Sequence, residues 1–518
     1  MANEKAQAAA VTTDAPPAGL EQWTGDTRFF GHPRGLSTLF FTEMWERFSY
    51  YGIRPLLVLF MIEPIVNGGF GFDRTEASAI VGIYAGSVYL ASLPGGWIAD
   101  RWLGLRNAIW WGGVFIALGH LSIALSSVFA KSTFFLGLIF IVMGTGLLKP
   151  NISAIVGDLY PDKSARRDAG FSIFYMGINT GALIAPIITG ALGEKVGWHF
   201  GFGAAGVGML IGLLVYRFRA PATLGPIGLL PTAGPDEQRR VRNMTLIGVG
   251  ILGTIVVLGL LGVYSVNPAT VARRMRDVML GMAVLYFGYL FFLAGLSKDE
   301  KKRVAVIVVL FVFAMIFWSA FEQQPTSLNL FARDFTDRHI FGWEMPTTWV
   351  QLINPLFVIL LAPVFAAIWV ALARRGTELS SPMKFGFGLF FAALGFLVML
   401  LASNRVIDGQ GVVKVSILWL IVSFFLQTCG ELALSPVGLS SMTKLAPRRF
   451  VGQMMGVWFL ASALGNLIAG IVGGHVDPEK LDEMPRLFMR TSMSLLIAAA
   501  VIWAMVIPIR KMMGEAKH

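Results

Sequence analysis

The amino-acid sequence predicts an all-α integral membrane protein with fourteen transmembrane helices. Two observations support this prediction, namely the composition and the length of the apolar runs. Of the 518 residues, 55% are hydrophobic and only 14% are charged, whereas soluble globular proteins are about 45–50% apolar and about 25% charged. The apolar runs, such as 245–264 and 278–296, are continuous and have about the twenty residues that a helix needs to cross a bilayer. Transmembrane β-barrels would instead alternate apolar and polar residues in segments of about ten.

The apolar runs define fourteen predicted helices. These cover residues 38–64, 77–100, 106–128, 133–157, 169–193, 198–218, 244–264, 277–297, 303–331, 347–373, 383–403, 415–444, 451–474 and 489–511. An even number of crossings places both termini on one side, and the positive-inside rule makes that side cytoplasmic. The basic loops on that side lie at 101–106, 163–167, 239–242, 298–303, 374–375 and 444–449. Arg273, Arg274 and Arg276 are the exception, because they fall in a predicted outer loop between helices seven and eight.

The helices group as six, two and six, because the polar, proline-bearing stretch 220–243 ends the first six. The next two helices carry no charge in their apolar interiors, so we expect them to face lipid rather than substrate. Two six-helix halves around a central site are typical of secondary transporters. The predicted parts are a disordered cytoplasmic tail at 1–36, an N-terminal six-helix bundle at 37–220, a linker with two extra transmembrane helices at 221–300, a C-terminal six-helix bundle at 301–511 and a cytoplasmic tail at 512–518.

The first predicted helix contains several ionisable residues, each of which costs about 2.5–3.5 kcal/mol at a helix centre unless it faces a cavity or a partner. They are Glu43, Glu46, Arg47 and Arg54, and Tyr50 lies among them. Their spacing returns all five to one helical face. The first helix therefore carries a polar stripe, which predicts a polar cavity beside it.

Three later helices each carry a deep charge beside a proline: Lys149, Glu322 and Glu431. A proline break is tolerated in a membrane where a cavity or a neighbour satisfies the freed carbonyls. Counted at 1.5 Å per residue, Arg54 and Glu322 fall at similar depths, as do Lys149 and Glu431. We therefore expect the ion pairs Arg54–Glu322 and Lys149–Glu431, each joining the two halves. Buried ion pairs stabilise poorly, which favours a switching role.

Other features exclude several classes of function. The six histidines show no metal-ligand spacing and no phosphate-binding loop is present, so we expect no metal, no cofactor and no enzymatic activity. The net charge of +11 suits cytoplasmic loops against an anionic membrane better than nucleic acid. Asp100, Arg101 and Arg106 follow the second helix, where they can bind a helix end or a neighbouring loop.

Several of these segments resemble the signatures of the proton-dependent oligopeptide transporter family, within the major facilitator superfamily. The segment Glu43–Gly52 is similar to the first-helix signature of that family. Further similarity lies in Gly146–Asn151, Asp168–Gly181, Phe317–Gln323 and Glu431–Pro436, and Gly95–Arg106 resembles the gating motif of the superfamily. The resemblance covers about residues 36–510 and includes the extra helix pair of the bacterial members. It implies the major facilitator fold.

The resemblance also implies a function, namely a proton-coupled symporter that imports di- and tripeptides by alternating access. Arg54 and Lys149 would attract the peptide carboxylate, and Asn179, Asn354 and Glu431 would hold the amino group. The side-chain pockets would be lined by Tyr50, Tyr51, Tyr89, Trp318 and Trp458, with Ser435 nearby. Proton coupling would rest on Glu43, Glu46, Arg47, Lys149 and Glu322, and gating on Asp100, Arg101 and Arg106. We expect a monomer in the lipid of a bacterial inner membrane.

The residues alone leave alternatives open, because opposite charges at middle depth suit any zwitterion. One alternative is a transporter of nitrate, drugs or glucosides on the same fold, and another is a membrane receptor on a transporter scaffold. A nitrate site would favour the absence of the carboxylate of Glu431. A receptor would need neither the acidic stripe of the first helix nor the gating motif.

Overall fold

Fourteen long helices make up most of the chain that the computed structural model describes, namely residues 20–129, 131–160, 165–264, 266–376 and 379–513. They are α1 (Arg34–Ile62), α2 (Arg74–Ile98), α3 (Leu105–Ala124), α4 (Lys131–Asp158), α5 (Ala165–Ala185), α6 (Trp198–Leu224), α7 (Pro235–Leu260), α8 (Pro268–Phe292), α9 (Lys298–Phe321), α10 (Ile353–Arg374), α11 (Ser381–Asp408), α12 (Leu418–Leu445), α13 (Val451–Gly473) and α14 (Glu483–Ala504).

Shorter segments extend several of these helices. A π-helical turn at Ala99–Leu103 continues α2, and Pro186–Gly190 with Ala191–Lys195 continues α5. Beyond α9 the chain passes through a π-helical turn and a further helix, Gln324–Leu328 and Asn329–Phe335. The 3₁₀ turn Thr347–Leu352 leads into α10, and Val506–Met513 follows α14. Two of the extended spans, α5 and α9, contain a proline at the irregular turn.

The fourteen helices agree with the sequence prediction in number and order. Thirteen of the described helices are long and apolar enough to cross a membrane. The helix outside that set is α1, which has 29 residues but carries four ionisable residues in its interior. Its place in the bundle beside α5 and α6 makes it the fourteenth span.

The predicted start of the eighth helix was wrong. Arg273, Arg274 and Arg276 lie in the first turns of α8, not in a loop. The cause is a strong start signal upstream of the apolar run. Asn267 accepts a hydrogen bond from Thr270 N at 2.9 Å and Pro268 occupies the first helical position, and both are preferred there.

The first six helices pack as one group. α1 lies between α5 and α6, while α3 packs along α4 and α4 packs along α2. Buried hydroxyls join the helices: Thr38 Oγ1 lies 2.9 Å from Thr223 Oγ1 of α6, and Thr189 Oγ1 donates to Gly52 O at 2.9 Å. These bonds fix the helix that carries the acidic stripe.

The last six helices repeat the pattern. α9 packs along α13, and α11 packs against both α12 and α14. Ser423 Oγ of α12 donates to Gly395 O, and Ser492 Oγ of α14 donates to Ala393 O, each at 2.9 Å. The pairs α3–α4 and α11–α12 therefore correspond, as do α1–α5 and α9–α13, which gives two similar halves.

The two halves meet on two sides. On one side α2 and α13 pack along each other so closely that a Cβ on Gly82 would lie 2.7 Å from Gly470 Cα. On the other side the turn Pro186–Gly190 packs against Thr347–Leu352. We call the end of the bundle where α1 begins and α14 ends the near end, and the opposite end the far end. The second contact lies at the far end.

The extra helix pair lies outside the two halves. Most side chains of α7 are exposed, whereas α8 buries a stripe against α2 and α13. The stripe consists of Ala272, Met279, Ala283, Phe287 and Leu290. The expected lipid-facing position therefore describes α7 better than α8, which lies over the seam between the halves.

The predicted disorder of residues 1–36 was wrong for the part of it that the structure describes. Glu21–Thr24 is a short helix, and the carboxylate of Asp26 is bonded by Arg28 and Arg34, each at 2.9 Å. The hydrogen bond from Arg28 holds the pKa of the Asp26 carboxyl well below its usual range. Residues 1–19, Lys163 in the predicted basic loop and 514–518 of the predicted tail lie outside the described residues.

Four two-residue strands at the far end were not predicted. β1 (Thr336–Asp337) pairs in parallel with β4 (Val415–Ser416), and β2 (His339–Ile340) pairs with β3 (Trp343–Glu344) as a hairpin. Two residues are too few to produce a periodic pattern in the sequence. The β1–β4 pair ties together two loops of the second half, and the hairpin lies within the first of them.

The close approach of α2 and α13 predicts that Gly470→Ala destabilises the protein. A Cβ at this position would overlap the backbone of Gly82, and overpacking costs about 1–3 kcal/mol. Thermal unfolding in detergent should show a lower unfolding temperature. Gly253→Ala in α7 is the matched control, because nothing lies within 4 Å of a Cβ there. Equal unfolding temperatures for the two variants would contradict the tight contact.

Candidate functional site

The polar stripe of α1 forms a buried charge cluster. Arg47 Nε lies 3.0 Å from Glu43 Oε1, and Arg47 also pairs with Glu46. All three side chains are at most 3% exposed. Two carboxylates share one guanidinium, so the cluster is one negative charge in excess when both carboxylates are ionised. Such a site can take up a proton or a further cation.

Tyr50 connects this cluster to the deeper Arg54. Its ring centroid lies 5.3 Å from Arg47 Cζ and 5.8 Å from Arg54 Cζ, within the range of a cation–π contact. The ring of Tyr84 of α2 stacks on the ring of Tyr50, with 6.2 Å between the ring centroids. The hydroxyls of Tyr50 and Tyr84 are buried and have no hydrogen-bond partner among the described residues. Each hydroxyl therefore retains an unused donor and acceptor inside the protein.

Arg54 of the first half pairs with Glu322 of the second half, as the depth argument predicted. The same guanidinium donates from Nη2 to Asn466 Oδ1 of α13 at 2.7 Å. All three residues are at least nine-tenths buried. This cluster joins α1, α9 and α13, and breaking it would leave a charge unpaired inside the protein.

The break in α9 directly after Glu322 is held by amide side chains. Pro325 lacks an N–H group, so the helix cannot continue its regular bonding there. Gln351 Nε2 donates to Gln324 O at 2.9 Å, and Gln324 Nε2 donates to Gln427 Oε1 of α12 at 3.2 Å. Gln427 Nε2 donates in turn to Ser423 Oγ at 2.9 Å. These bonds fix the position from which Glu322 reaches the first half.

The predicted pair Lys149–Glu431 was wrong: the described residues contain no ion pair between them. Lys149 Nζ lies 4.1 Å from the centroid of the Tyr89 ring of α2, in its own half. Glu431 Oε2 instead accepts a hydrogen bond from Asn354 Nδ2 of α10 at 3.0 Å. Equal depth along two helices does not fix their lateral distance.

Glu431 belongs to a small polar group at the contact of α10 and α12. Asn354 Nδ2 also lies 3.0 Å from Thr428 Oγ1, one turn before Glu431. Ser435, one turn after Glu431, is partly buried. The structure therefore brings the predicted residues Asn354 and Glu431 together.

The remaining predicted pocket residues lie on the helices around these clusters. Asn179 of α5 is 8% exposed and donates to Tyr175 O at 2.9 Å. Trp318 of α9 packs on Phe317 and Phe321, and its buried Nε1 is unpartnered among the described residues. Tyr51 contacts Tyr50 at 5.2 Å between ring centroids, and Trp458 is 5% exposed.

The three residues of the predicted gating motif bind the link between the halves. Arg101 pairs with Glu237 at the start of α7, and the guanidinium of Arg106 donates to Gly225 O. Asp100 contributes its backbone carbonyl, which accepts from Thr232 N at 2.8 Å. The near end of α2 and α3 is therefore attached to residues 225–237.

Contacts between the halves at the far end were missed in the sequence. Glu63 at the end of α1 pairs with Arg333, and Arg74 at the start of α2 bonds Asp334 at 2.6 Å. Asn466 was also missed, although a lone amide in the apolar run of α13 is a signal that could have identified it. At the near end, a cavity of about 870 Å³ is lined by Tyr175 of α5 and by Trp369, Lys384 and Lys444 among others.

The family model described as the POT family matches residues 106–221 and 270–485, which is more than half of the chain. The chain belongs to the POT family. Its fold is the major facilitator fold, and it is a multi-pass membrane transporter.

Relatives in the POT family align over nearly the full length. The chain is 52% identical to a peptide transporter of Yersinia enterocolitica, over 95% of this chain and 98% of the relative. It is 38% identical to a di-/tripeptide transporter of Lactococcus lactis, over 94% of this chain and 98% of that relative.

A crystal structure of a POT peptide transporter with alafosfalin matches at a TM-score of 0.86 and 38% identity, over 96% of this chain and 99% of that one. The crystal structure of a POT family transporter with 5-aminolevulinic acid matches at a TM-score of 0.84 and 37% identity, over 93% of this chain and 98% of that one.

The inter-half pair predicts the behaviour of charge reversals in this POT family member. Arg54→Glu or Glu322→Arg alone would place like charges together, and breaking a buried pair costs about 3–5 kcal/mol. The double variant restores opposite charges, and the amide of Asn466 can turn to donate to the new carboxylate. Peptide uptake should be greater in the double variant than in either single variant, after size-exclusion chromatography has confirmed folding. A double variant no better than the worse single one would contradict direct pairing.

Proposed function

We propose that this POT family member is a proton-coupled symporter that imports di- and tripeptides by alternating access. Family membership and the full-length similarity to peptide transporters support the substrate class. The observation that carries the proposal is the distribution of charge. Arg54 and Lys149 lie in the first half, and Glu431 with its partner Asn354 lies in the second. A zwitterionic peptide can bridge them with its carboxylate and its amino group.

Recognition of each peptide end can be assigned to specific atoms. Arg54 Nε is buried and unpartnered among the described residues, and Lys149 Nζ lies against the face of the Tyr89 ring. Both can donate to a carboxylate. Glu431 accepts from Asn354, and a carboxylate has room for further donors such as an ammonium group. Tyr50, Tyr51, Tyr89, Trp318 and Trp458, together with Asn179 and Ser435, would surround the peptide.

Proton coupling follows from competition for Arg54. An ionised Glu322 holds Arg54 and with it the two halves, whereas protonation removes this attraction. Arg54 is then free to meet the peptide carboxylate, so the proton and the peptide favour the same rearrangement, as coupling requires. Glu43, Glu46 and Arg47, with Lys149 nearby, form the second proton-accepting group. Asp100, Arg101 and Arg106 would control the near end through the link.

The orientation follows from the loops. The near end carries most of the basic loops, so we assign it to the cytoplasm together with both termini. The pairs Glu63–Arg333 and Arg74–Asp334 close the far end, and the near end carries a cavity lined mainly by residues of the second half. The proposal further includes a monomer in the lipid of a bacterial inner membrane, with transport and no enzymatic reaction.

Glu322→Gln is expected to abolish uptake driven by a pH gradient. Glutamine imitates the protonated side chain at nearly the same volume, so the proton can no longer be carried. Peptide exchange without net proton movement should remain at least partly intact. Proteoliposomes with a pH gradient, compared with proteoliposomes holding peptide on both sides, separate the two activities. Wild-type accumulation in the variant would transfer the coupling role to Glu43 and Glu46.

Blocking either end of a dipeptide should weaken its binding. A hydrogen bond to a charged group contributes about 1.5–3 kcal/mol, so amidated or acetylated dialanine should compete roughly 10- to 100-fold more weakly than free dialanine. Competition against labelled dialanine in proteoliposomes measures this ratio. Equal potency of free and blocked peptides would exclude the assigned roles of Arg54, Lys149 and Glu431.

A further inference from the structure

One carboxylate of the first half caps a helix of the second half at the far end. Glu194, in the short helix Ala191–Lys195 that ends the α5 span, accepts three hydrogen bonds from the residues that lead into α10. The donors are Thr347 N at 2.7 Å, Thr348 N at 2.8 Å and Thr348 Oγ1 at 2.8 Å. N–H groups at the start of a helix have no partner within the helix, and a carboxylate interacts favourably with the positive end of the helix dipole.

The side chain of Thr348 also lies directly against the backbone of the α5 span at this point. A Cβ on Gly190, one turn before Glu194, would overlap Thr348 Oγ1. Gly190 and Glu194 therefore lie on the same helical face, four residues apart. Thr347 is 2% exposed and Thr348 is fully buried. The contact is a packed interface between the halves with three hydrogen bonds at its centre.

This contact joins different helices from the other far-end pairs, although Glu194 and Thr347 line the same far-end cavity as Glu63 and Arg333. Glu63–Arg333 and Arg74–Asp334 connect α1 and α2 to the segment after α9. The halves also pack along α2 and α13. The contact of Glu194 lies across the bundle from that seam, between α5 and α10. If the halves rotate about the α2–α13 seam, the α5–α10 side separates most.

The capped helix carries two residues that hold the candidate site. Gln351 follows Thr347 by about one turn and donates to Gln324 O, beside Glu322. Asn354 follows about one turn later and donates to Glu431. The position of α10 therefore affects the surroundings of both Glu322 and Glu431. A residue that holds the start of α10 acts on the site without touching the substrate.

We propose that Glu194 is a positioning residue that keeps the far end closed and holds α10 in place for Glu322 and Glu431. All three hydrogen bonds break together when α5 and α10 separate, and they form again when the far end closes. The proposal deepens the alternating-access function, because it names the contact that distinguishes the closed far end from the open one. It requires no particular substrate.

The test measures the far-end opening directly. Spin labels are attached at Val66 of the first half and Phe341 of the second half, which are both highly exposed. The native cysteine, Cys429, is first replaced by serine. Double electron–electron resonance of the full chain in lipid nanodiscs then gives the distance distribution. In Glu194→Gln the side-chain amide directs an N–H group at another N–H donor, so the ratio of long to short distances should rise at least about 10-fold, the factor that one charge-assisted hydrogen bond is worth.

Two further variants and one stability measurement complete the test. Thr348→Val removes only the hydroxyl bond and should produce a smaller rise, and Glu479→Gln in an exposed far-end loop should produce none. The unfolding temperature of Glu194→Gln should stay close to that of the parent. A lower unfolding temperature with unchanged distances would show a purely structural role and overturn the proposal, as would unchanged distances in a normally stable variant.

The distance measurement uses neither a peptide nor a proton gradient. Failure of the parent protein to transport dialanine would reject the proposed function without affecting the result for Glu194. An unchanged distance distribution in Glu194→Gln would reject the role of Glu194 without affecting the proposed function. The two failures are therefore distinguishable.

Discussion

Burial of a charge away from water requires a partner, and Arg54 in the middle of α1 finds its partners in the other half of the molecule. Glu322 of α9 supplies the opposite charge, and Asn466 of α13 supplies an acceptor. Replacing such a group by apolar residues often costs no stability, so stability alone gives no reason for its presence. A pair that joins two separately packed halves does give a reason, because the pair must be made in one arrangement of the halves and can be broken in another.

The elements around this pair serve to place it. α1 is fixed by buried hydroxyl bonds to the helices on both sides, so Arg54 has a defined origin. Glu322 lies where α9 loses its regular bonding, and the amides of Gln351, Gln324 and Gln427 hold that break. A regular helix would keep its carbonyls bonded within itself. The break allows α9 to be bonded by α10 and α12, which connects the ion pair to the helices that carry Asn354 and Glu431.

The sequence was sufficient to predict the features that depend on one helix at a time. Apolar run length predicted all fourteen helices, and depth along the helix predicted Arg54–Glu322. Depth along the helix was insufficient to predict whether Lys149 and Glu431 pair, because the lateral position of a helix depends on its packing. Lys149 lies on α4, which packs against α2 in the first half, and Glu431 lies on α12, which packs against α11 in the second. The amide bonds around Pro325 join residues far apart in the chain, so no local pattern could predict them. The prediction that residues 1–36 are disordered failed for a similar reason. The segment around Asp26 is held by side-chain contacts with Arg28 and Arg34, and such contacts leave no periodic pattern in the sequence.

The two interfaces between the halves differ in chemistry, and this difference has a mechanical consequence. Along α2 and α13 the backbones approach each other at Gly82 and Gly470, where close packing resists separation. Between α5 and α10 the contact depends on hydrogen bonds to Glu194, whose donors and acceptor can bond to water once the helices part. Separation of α5 and α10 therefore exchanges these hydrogen bonds for bonds to water, whereas separation of α2 and α13 would expose closely packed backbone. The Arg54–Glu322 pair and the hydrogen bonds of Glu194 are therefore the contacts between the halves that are suited to change partners.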